Sequence, residues 1–414
     1  MGKLKNLAMM SIHGYVEAVP VLGATDTGGQ VTYVLELAKG LAKLGVTVDI
    51  YTRQFENRER FETVADGVRI VRVPCGPPEF VRKEDMLQYL PEYVDNMYGF
   101  IESEGATYEL LHSHYWDAGY AAMELAPRLG IPFIHTSHSL GAWKRERMGG
   151  DPDEMERLFR FEERIAAERL IFDAAAALTV TTPEGAANYK RLYGFESDDM
   201  VVIPPGVDVH RFNPEPQPGE AVPAYASDYF VFALSRIDSN KGLDYLLFAF
   251  DKVRRESEAK LVIGGGSKNP KQYELDVLAA LNSIVDELGL GDVVTFAGYV
   301  PDEELTPYYR RAAAFVLPSK FEPFGMTALE AMACGTPVVA TNLGGIKDNL
   351  NDGVDALLVD PSDADELSGA ILAILNDQGT AEKLSKAGLK KIRDEFAWEV
   401  IARRNLEFFE GYIT

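Results

Sequence analysis

Short apolar runs, closed by Gly, Pro, Asn or Asp, alternate along the chain with longer segments in which apolar residues recur every three or four positions. The first pattern reads as strand and the second as amphipathic helix. A strand is predicted at 5–11, and in VTYVLELAKGLAKLG (31–45) Val31, Val34, Leu35, Ala38 and Leu41 fall on one helical face. A strand at 46–51 completes a βαβ start. The run VRIVRVP (68–74) reads as a strand that alternates outward; further strands are predicted to end at His114 and to cover 131–138, 173–182 and 201–206. Helices are predicted at 87–102 and, as one long element, at 156–172, and Asp117 stands where it would cap another. The alternation then restarts, with strands at 229–235, 260–266, 293–300, 313–317 and 338–340 and helices at 327–333, 367–375 and from 396 onward. Such βα alternation is the pattern of parallel sheets covered by helices.

At 414 residues the chain is long for one core, so two domains are expected, and the Pro-rich stretch NPEPQPGEAVPAY (213–225) is the clearest linker. There are 41 Lys and Arg against 64 Asp and Glu, a net charge of −23. That balance argues against a nucleic acid or an anionic membrane as the main partner. A phosphorylated substrate would therefore need basic residues concentrated locally. Two cysteines, Cys75 and Cys334, have no neighbour in sequence, which suits free thiols in a reducing compartment. No run of 18 apolar residues occurs, and Lys3-Leu-Lys5 leads straight into a strand, so a cytoplasmic protein without a membrane span is expected.

Four features carry chemistry. Glu322 and Glu330 stand eight positions apart around a Gly-Met-Thr turn that opens a helix. Backbone N–H groups of Phe324, Gly325, Met326 and Thr327 at that helix start suit an anionic group such as a diphosphate, and Glu330 could take a ribose. A plain strand–turn–helix is the other reading of the same spacing. Arg236 and Lys241 follow a strand end, either as a diphosphate clamp or as two scattered surface cations. Gly28-Gly29 before the first helix permits close approach of a ligand or merely a tight turn. Lys144, Arg145 and Arg147 form a basic knot, and Arg160, Arg164 and Arg169 follow; Arg164 and Glu168 could simply pair as i,i+4 neighbours.

Five of six histidines (13, 112, 114, 135 and 138) lie near predicted strand C-termini, the edge where open α/β sheets bind ligands. No two have helical i,i+4 spacing and no H-E-x-x-H occurs, which disfavours a metal site. His112 and His135 read as structural groups. Asp-x-Asp occurs at 151–153 before a helix and at 363–365 in a helix first turn, where acidic residues suit the macrodipole, so neither is read as a metal site.

FEPFGMTALEAMACGTPVVAT (321–341) resembles the Glu-x7-Glu signature of retaining glycosyltransferases with the GT-B fold, and 344–361 continues that pattern. DTGGQVTYVLELAKGLAKLGVTVDIYTR (26–53), SHYWDAG (113–119), SHSLGAWKR (137–145) and PPGVD (204–208) resemble family 4 members that make sucrose phosphate and mannosylfructose phosphate. The resemblance implies two Rossmann-like domains facing a cleft: an acceptor domain at 1–212, a nucleotide-sugar domain at 213–395, and a helix at 396–414 crossing back to the first. It implies catalytic roles for His138, Arg236, Lys241 and Glu322. Donor contacts would come from Gly28 and Gly29, from Arg236, Lys241 and Glu322, and from Phe324 to Thr327 and Glu330, with 293–312 near the base. Gln30, Lys83, His114, Lys144 and Arg164 would meet the acceptor. Arg160 is a further possibility, and Glu162-Glu163 departs from the sucrose-phosphate pattern at that helix.

The expected function is a retaining hexosyl transfer from GDP-mannose to fructose 6-phosphate, by front-face displacement in which the departing phosphate helps to deprotonate the acceptor. Sucrose-phosphate synthesis from UDP- or ADP-glucose, or another family 4 acceptor, fits the same motifs. An epimerase, a phosphorylase and a non-catalytic sugar-phosphate binder are the rivals from other classes. No cofactor or protein-held metal is expected, with Mg2+ on the diphosphate left open. No phosphatase-like stretch follows the last helix, so a phosphorylated disaccharide is the expected product and a separate sugar-phosphate phosphatase an expected downstream partner.

Overall fold

The strand–helix alternation folds into two parallel sheets, one in each of two compact units: Met1–Gly206 with Trp398–Thr414, and Val207–Ala397. The computed structural model describes residues 2–13, 15–19, 29–56, 58–217, 219–220 and 229–413. In the first unit the strands are β1 (Asn6–Met10), β2 (Thr47–Gln54), β3 (Phe61–Ala65), β4 (Val68–Pro74), β5 (Leu110–His114), β6 (Phe133–Thr136), β7 (Ala177–Val180) and β8 (Met200–Val202). Their order is β3-β4-β2-β1-β5-β6-β7-β8, with only β3 antiparallel. In the second, β9 (Phe230–Ser235), β10 (Lys260–Gly265), β11 (Val294–Gly298), β12 (Ala314–Leu317), β13 (Val338–Thr341) and β14 (Leu357–Val359) run parallel in the order β11-β10-β9-β12-β13-β14.

Each sheet is buried on both faces. Along β1, Ala8 and Met10 join one apolar cluster and Leu7 and Met9 another; along β9, Phe230 and Phe232 oppose Val231 and Ala233 in the same way. Period-2 alternation therefore divides two cores rather than core from solvent. In both sheets the strand order reverses beside the first strand, between β1 and β5 and between β9 and β12. Such switch points leave a crevice at the strand C-termini.

Several elements differ from the sequence reading. The 68–74 strand does not alternate outward: β3, which was not foreseen, pairs along it, and Arg72, 4% exposed, is paired with Glu62. The predicted helix 156–172 is two helices, Pro152–Phe159 and Phe161–Ala174, broken at Arg160 with φ 47° and ψ 48°. The first buries no residue fully, whereas the second buries Phe161, Arg164 and Ile165, and a straight continuation cannot serve both faces. The second helix also shortens the strand expected at 173–182 to β7. Helices Pro183–Tyr193 and Gln378–Lys391 were not foreseen, although Thr182 and Asp377 cap them through Gly185 and Gly379 N–H, each at 2.9 Å.

Residues Val207 to Phe212 belong with the second unit rather than the first. Val207 N–H donates to Phe396 O at 2.7 Å, and the Phe212 and Tyr309 rings meet. The helix Trp398–Glu410 packs in the first unit on Gly29–Lys43, where a Cβ at Gly40 would lie 2.6 Å from Ala402 Cβ. Among the described residues no helix is long and apolar enough to cross a membrane.

Candidate active site

In the second unit the neighbouring strands β9 and β12 carry their polar residues at the switch point. Arg236 and the 3-10 turn Ser239–Lys241 follow β9; Ser319 and Glu322 follow β12. Gly242, at φ 64°, brings the two loops together, since a Cβ there would lie 1.9 Å from Pro318 O. Lys241 Nζ is 3.0 Å from Glu322 Oε2, which also accepts from Ser319 Oγ at 3.1 Å. Gly325 N–H reaches Oε1 at 3.3 Å. Arg236 is exposed and makes no ion pair among the described residues.

Gly325, at φ 89°, opens the helix Met326–Ala333; the N–H groups of Met326 and Thr327 lie in the first turn, where no intrahelical acceptor exists for them. Phe324 is buried against Phe396, so only its backbone is available to a ligand. Glu330 accepts from Tyr309 Oη at 2.9 Å. Burial pushes its carboxyl up to about 7, against the pull of the Tyr309 hydrogen bond and Arg211. The turn therefore brings Lys241, Glu322 and an N–H-rich helix start together, with Glu330 one turn on.

The first unit places its polar groups around β1, β5 and β6. Gln30 Nε2 donates to Ser11 Oγ at 3.1 Å, from the first turn of a helix whose first residue, Gly29, is exposed. Gly28 lies outside the described residues. His138 sits at φ 55°, a conformation costly for a residue with a Cβ, and its Nε2 is 2.9 Å from His114 Nδ1. Burial with the neighbouring His135 and His13 lowers His138 to about 3; burial with His112 and His138 lowers His114 well below its ordinary value. Both rings are thus neutral near pH 7. His114 Nε2 is buried without a partner, and an orphaned lone pair costs less than an orphaned N–H. The pairing therefore makes His114 Nδ1–H the donor and leaves the His138 proton on Nδ1. His114 is fully buried, so it positions His138 and is not open to an acceptor as the sequence suggested.

A partly open pocket gathers Lys83, Lys144, Arg160 and Arg164 with Tyr115 and the carboxylates Glu84 and Glu163. Four cations converge here in a chain of net charge −23. Arg164 is 6% exposed and largely committed: Nε to Glu168 at 2.8 Å, Nη1 to Tyr115 Oη at 2.6 Å and Nη2 to Ser139 O at 2.6 Å. Glu168 in turn accepts from Gly141 N–H and Tyr193 Oη. The i,i+4 pair that sequence offered as a surface alternative is real but buried. Arg160, 3.0 Å from Asp85, is the exposed arginine of the pocket. Asp117, read from sequence as a helix cap, lies inside the helix Trp116–Leu129 instead, and its Oδ2 is 2.9 Å from His13 Nδ1. Among the described residues no group of three or more His, Cys, Asp or Glu is arranged to hold a metal ion.

The family model for glycosyl transferases group 1 matches residues 220–391, and that for the glycosyl transferase 4-like domain matches 28–206. A mannosylfructose-phosphate synthase of Agrobacterium fabrum (strain C58) is 42% identical over 98% of this chain and 91% of its own. The chain is a group 1 glycosyltransferase of the GT-B fold. A D-inositol 3-phosphate glycosyltransferase of Frankia alni is 35% identical over 81% of this chain and 83% of its own. Among solved structures, sucrose-phosphate synthase from Thermosynechococcus elongatus superposes with a TM-score of 0.77 at 31% identity, covering 98% of both chains.

Within this glycosyltransferase the motif residues 241, 322 and 325–330 come together in one unit, with Arg236 exposed after β9, and 83, 144, 160 and 164 come together in the other. His13, Tyr115, Ser319 and Tyr309 were missed as site residues. His13, Tyr115 and Ser319 had a signal, their places just past predicted strands.

Proposed function

We propose that this transferase moves a hexose, with retention, from GDP-mannose to fructose 6-phosphate. The observation that carries the acceptor half is the four-cation pocket of the first unit, which suits a phosphate dianion. Mannosylfructose-phosphate, sucrose-phosphate and inositol 3-phosphate, in the names of the three relatives, each include a phosphate, which supports the same reading. Arg160, Lys83 and Lys144 receive the phosphate, with Arg164 holding Tyr115 and the 139–141 loop beneath it. The mannosyl donor is favoured by the 42% identical relative.

In the second unit Arg236, Lys241 and the N–H groups at Gly325 to Thr327 stabilise charge developing on the leaving diphosphate. Such preorganised electrostatics is commonly the largest catalytic contribution. Glu322 keeps Lys241 and the glycine turn in place, and its more loosely bonded Oε1 is available to a hydroxyl of the donor sugar. Glu330 takes the ribose hydroxyls. His138, its ring fixed by His114, turns its Nδ1–H to the transferred sugar. The acceptor hydroxyl attacks from the face that the diphosphate leaves, and the departing phosphate oxygen receives its proton. No protein-held metal is required in this scheme.

The second reading is sucrose-phosphate synthesis from a glucose donor, favoured by the 31% identical structure. A donor-by-acceptor screen separates them, following nucleoside diphosphate release from GDP-mannose, UDP-glucose and ADP-glucose with and without fructose 6-phosphate. Acceptor-stimulated release from GDP-mannose alone supports the first reading, and release from a glucose donor supports the second. Release that never responds to fructose 6-phosphate removes that acceptor.

A further inference from the structure

The cation pocket of the first unit holds a carboxylate that the roles above leave unused. Glu163 lines it together with Lys83, Lys144, Arg160 and Arg164. It is half-buried and makes no hydrogen bond or ion pair among the described residues. Cations are not lacking nearby, but the arginines beside it turn elsewhere. Arg160, three positions earlier, lies 3.0 Å from Asp85. Arg164, the next residue, is spent on Glu168, Tyr115 and Ser139. Glu84, the other carboxylate of the pocket, sits 3.4 Å from Arg82 and 3.7 Å from Lys83.

Acidic residues in a helix first turn favour the macrodipole, and both Glu162 and Glu163 stand in the first turn of Phe161–Ala174. Glu162 does so from an exposed position, whereas Glu163, roughly 100° further round the helix, lines the pocket. The dipole is served from either place, so it does not account for a carboxylate among the cations. Beside a bound phosphate that carboxylate is repulsive, the more so where half-burial weakens screening by water. The arrangement becomes favourable for a ligand that brings hydroxyl donors along with its phosphate, because an ionised carboxylate is an acceptor only. Phe159 lines the same pocket and stacks on Phe161 with ring centroids 5.6 Å apart. An apolar ring thus stands near the carboxylate, the pairing that the C–H face and hydroxyl edge of a sugar require.

We propose that Glu163 sets the acceptor specificity of this pocket: its carboxylate accepts a hydrogen bond from a hydroxyl of the sugar whose phosphate meets Lys83, Lys144 and Arg160, and it repels an anion that brings no hydroxyl. One side chain thereby strengthens the binding of a sugar monophosphate and weakens that of a bare dianion. This rests on the sugar-phosphate reading above. The departure of Glu162-Glu163 from the sucrose-phosphate pattern falls, at Glu163, on a residue that lines the pocket.

The test compares the full-length protein with Glu163→Ala and Glu163→Gln, using GDP-mannose and both glucose donors at saturation. Two constants are measured at fixed ionic strength: the KM for fructose 6-phosphate, and the competitive inhibition constant of sulfate against it. Sulfate is the probe because it is a dianion with no proton to donate. In Glu163→Ala the KM should rise about tenfold, as for the loss of a hydrogen bond to a charged group, while sulfate binds about threefold tighter. Glu163→Gln keeps an acceptor oxygen and loses the charge, so it should tighten sulfate equally and raise the KM less. Loosened packing would weaken both ligands, so opposite movements identify the specificity role. If the two constants do not move in opposite directions, the inference fails while the function stands. If the natural protein uses no sugar phosphate with any donor, the functional reading fails and takes the Glu163 role with it. Where Glu163→Ala loses its cooperative melt, Glu163→Gln carries the same comparison.

Discussion

The two candidate sites sit at equivalent places in two sheets of similar topology, each beside the strand where the order reverses, yet they are built differently. The second unit makes its site from two loops, one after β9 and one after β12, and most of the chemistry falls within Glu322 to Glu330. The first draws on four separated segments, around residues 83, 115, 144 and 160–164. A local site depends on one turn and one helix start. A dispersed site depends on which side chains the tertiary packing lets out to solvent, as the contrast between buried Arg164 and exposed Arg160 illustrates.

The sharpest way to break this comparison is at the local site. Lys241→Ala removes the cation beside Glu322 and should lower kcat by about 10²–10³. Steady-state rates with saturating donor check this, and near-normal turnover would take Lys241 out of the mechanism.

Next in size is a stability effect peculiar to the dispersed site. Arg164→Met leaves Glu168 buried without its cation, and breaking such a pair costs about 3–5 kcal/mol. Denaturant unfolding should show that loss, partly recovered by adding Glu168→Gln. A variant of natural stability that has lost only acceptor affinity would instead make Arg164 the direct phosphate ligand.

Arg160→Ala and Lys144→Ala act at the rim of that pocket. Each should raise the acceptor KM by about tenfold or more, as expected for a hydrogen bond to a charged group, with the melting temperature little changed. An unchanged KM in both would place the phosphate elsewhere.

A last effect concerns pH. Burial raises the Glu330 carboxyl from 4.5 to about 7 in the folded protein. Between those values the folded state holds a proton that the unfolded state has released, so this group's contribution to stability falls as pH rises through that window and levels off above it. Urea midpoints at pH 5 and pH 8 check the direction, and Glu330→Gln should flatten the difference. A midpoint difference unchanged in that variant would assign the dependence to other groups.

Much of the second unit's candidate site was legible because its determinants are local. Gly325 must take a positive φ where a helix starts, Glu322 reaches back to it across three residues, and Lys241 belongs to a short turn after a strand. In the first unit, sequence located the basic residues and the histidine-rich strand ends but not their division of labour. Nothing in the periodicity of 156–172 announced the left-handed Arg160 that breaks the helix. Nothing near His13 in sequence announced Asp117, 104 positions later.

The sequence by itself determined two parallel α/β units, the Glu322–Glu330 turn and the cations after β9, since these follow from side-chain periodicity and backbone geometry within a few residues. Only the tertiary structure decided that Arg164 is held inside while Arg160 is exposed, that His114 serves His138, and that His13 is fixed by Asp117. Those outcomes depend on burial, and a charged or polar group taken from water needs a partner that the sequence places far away.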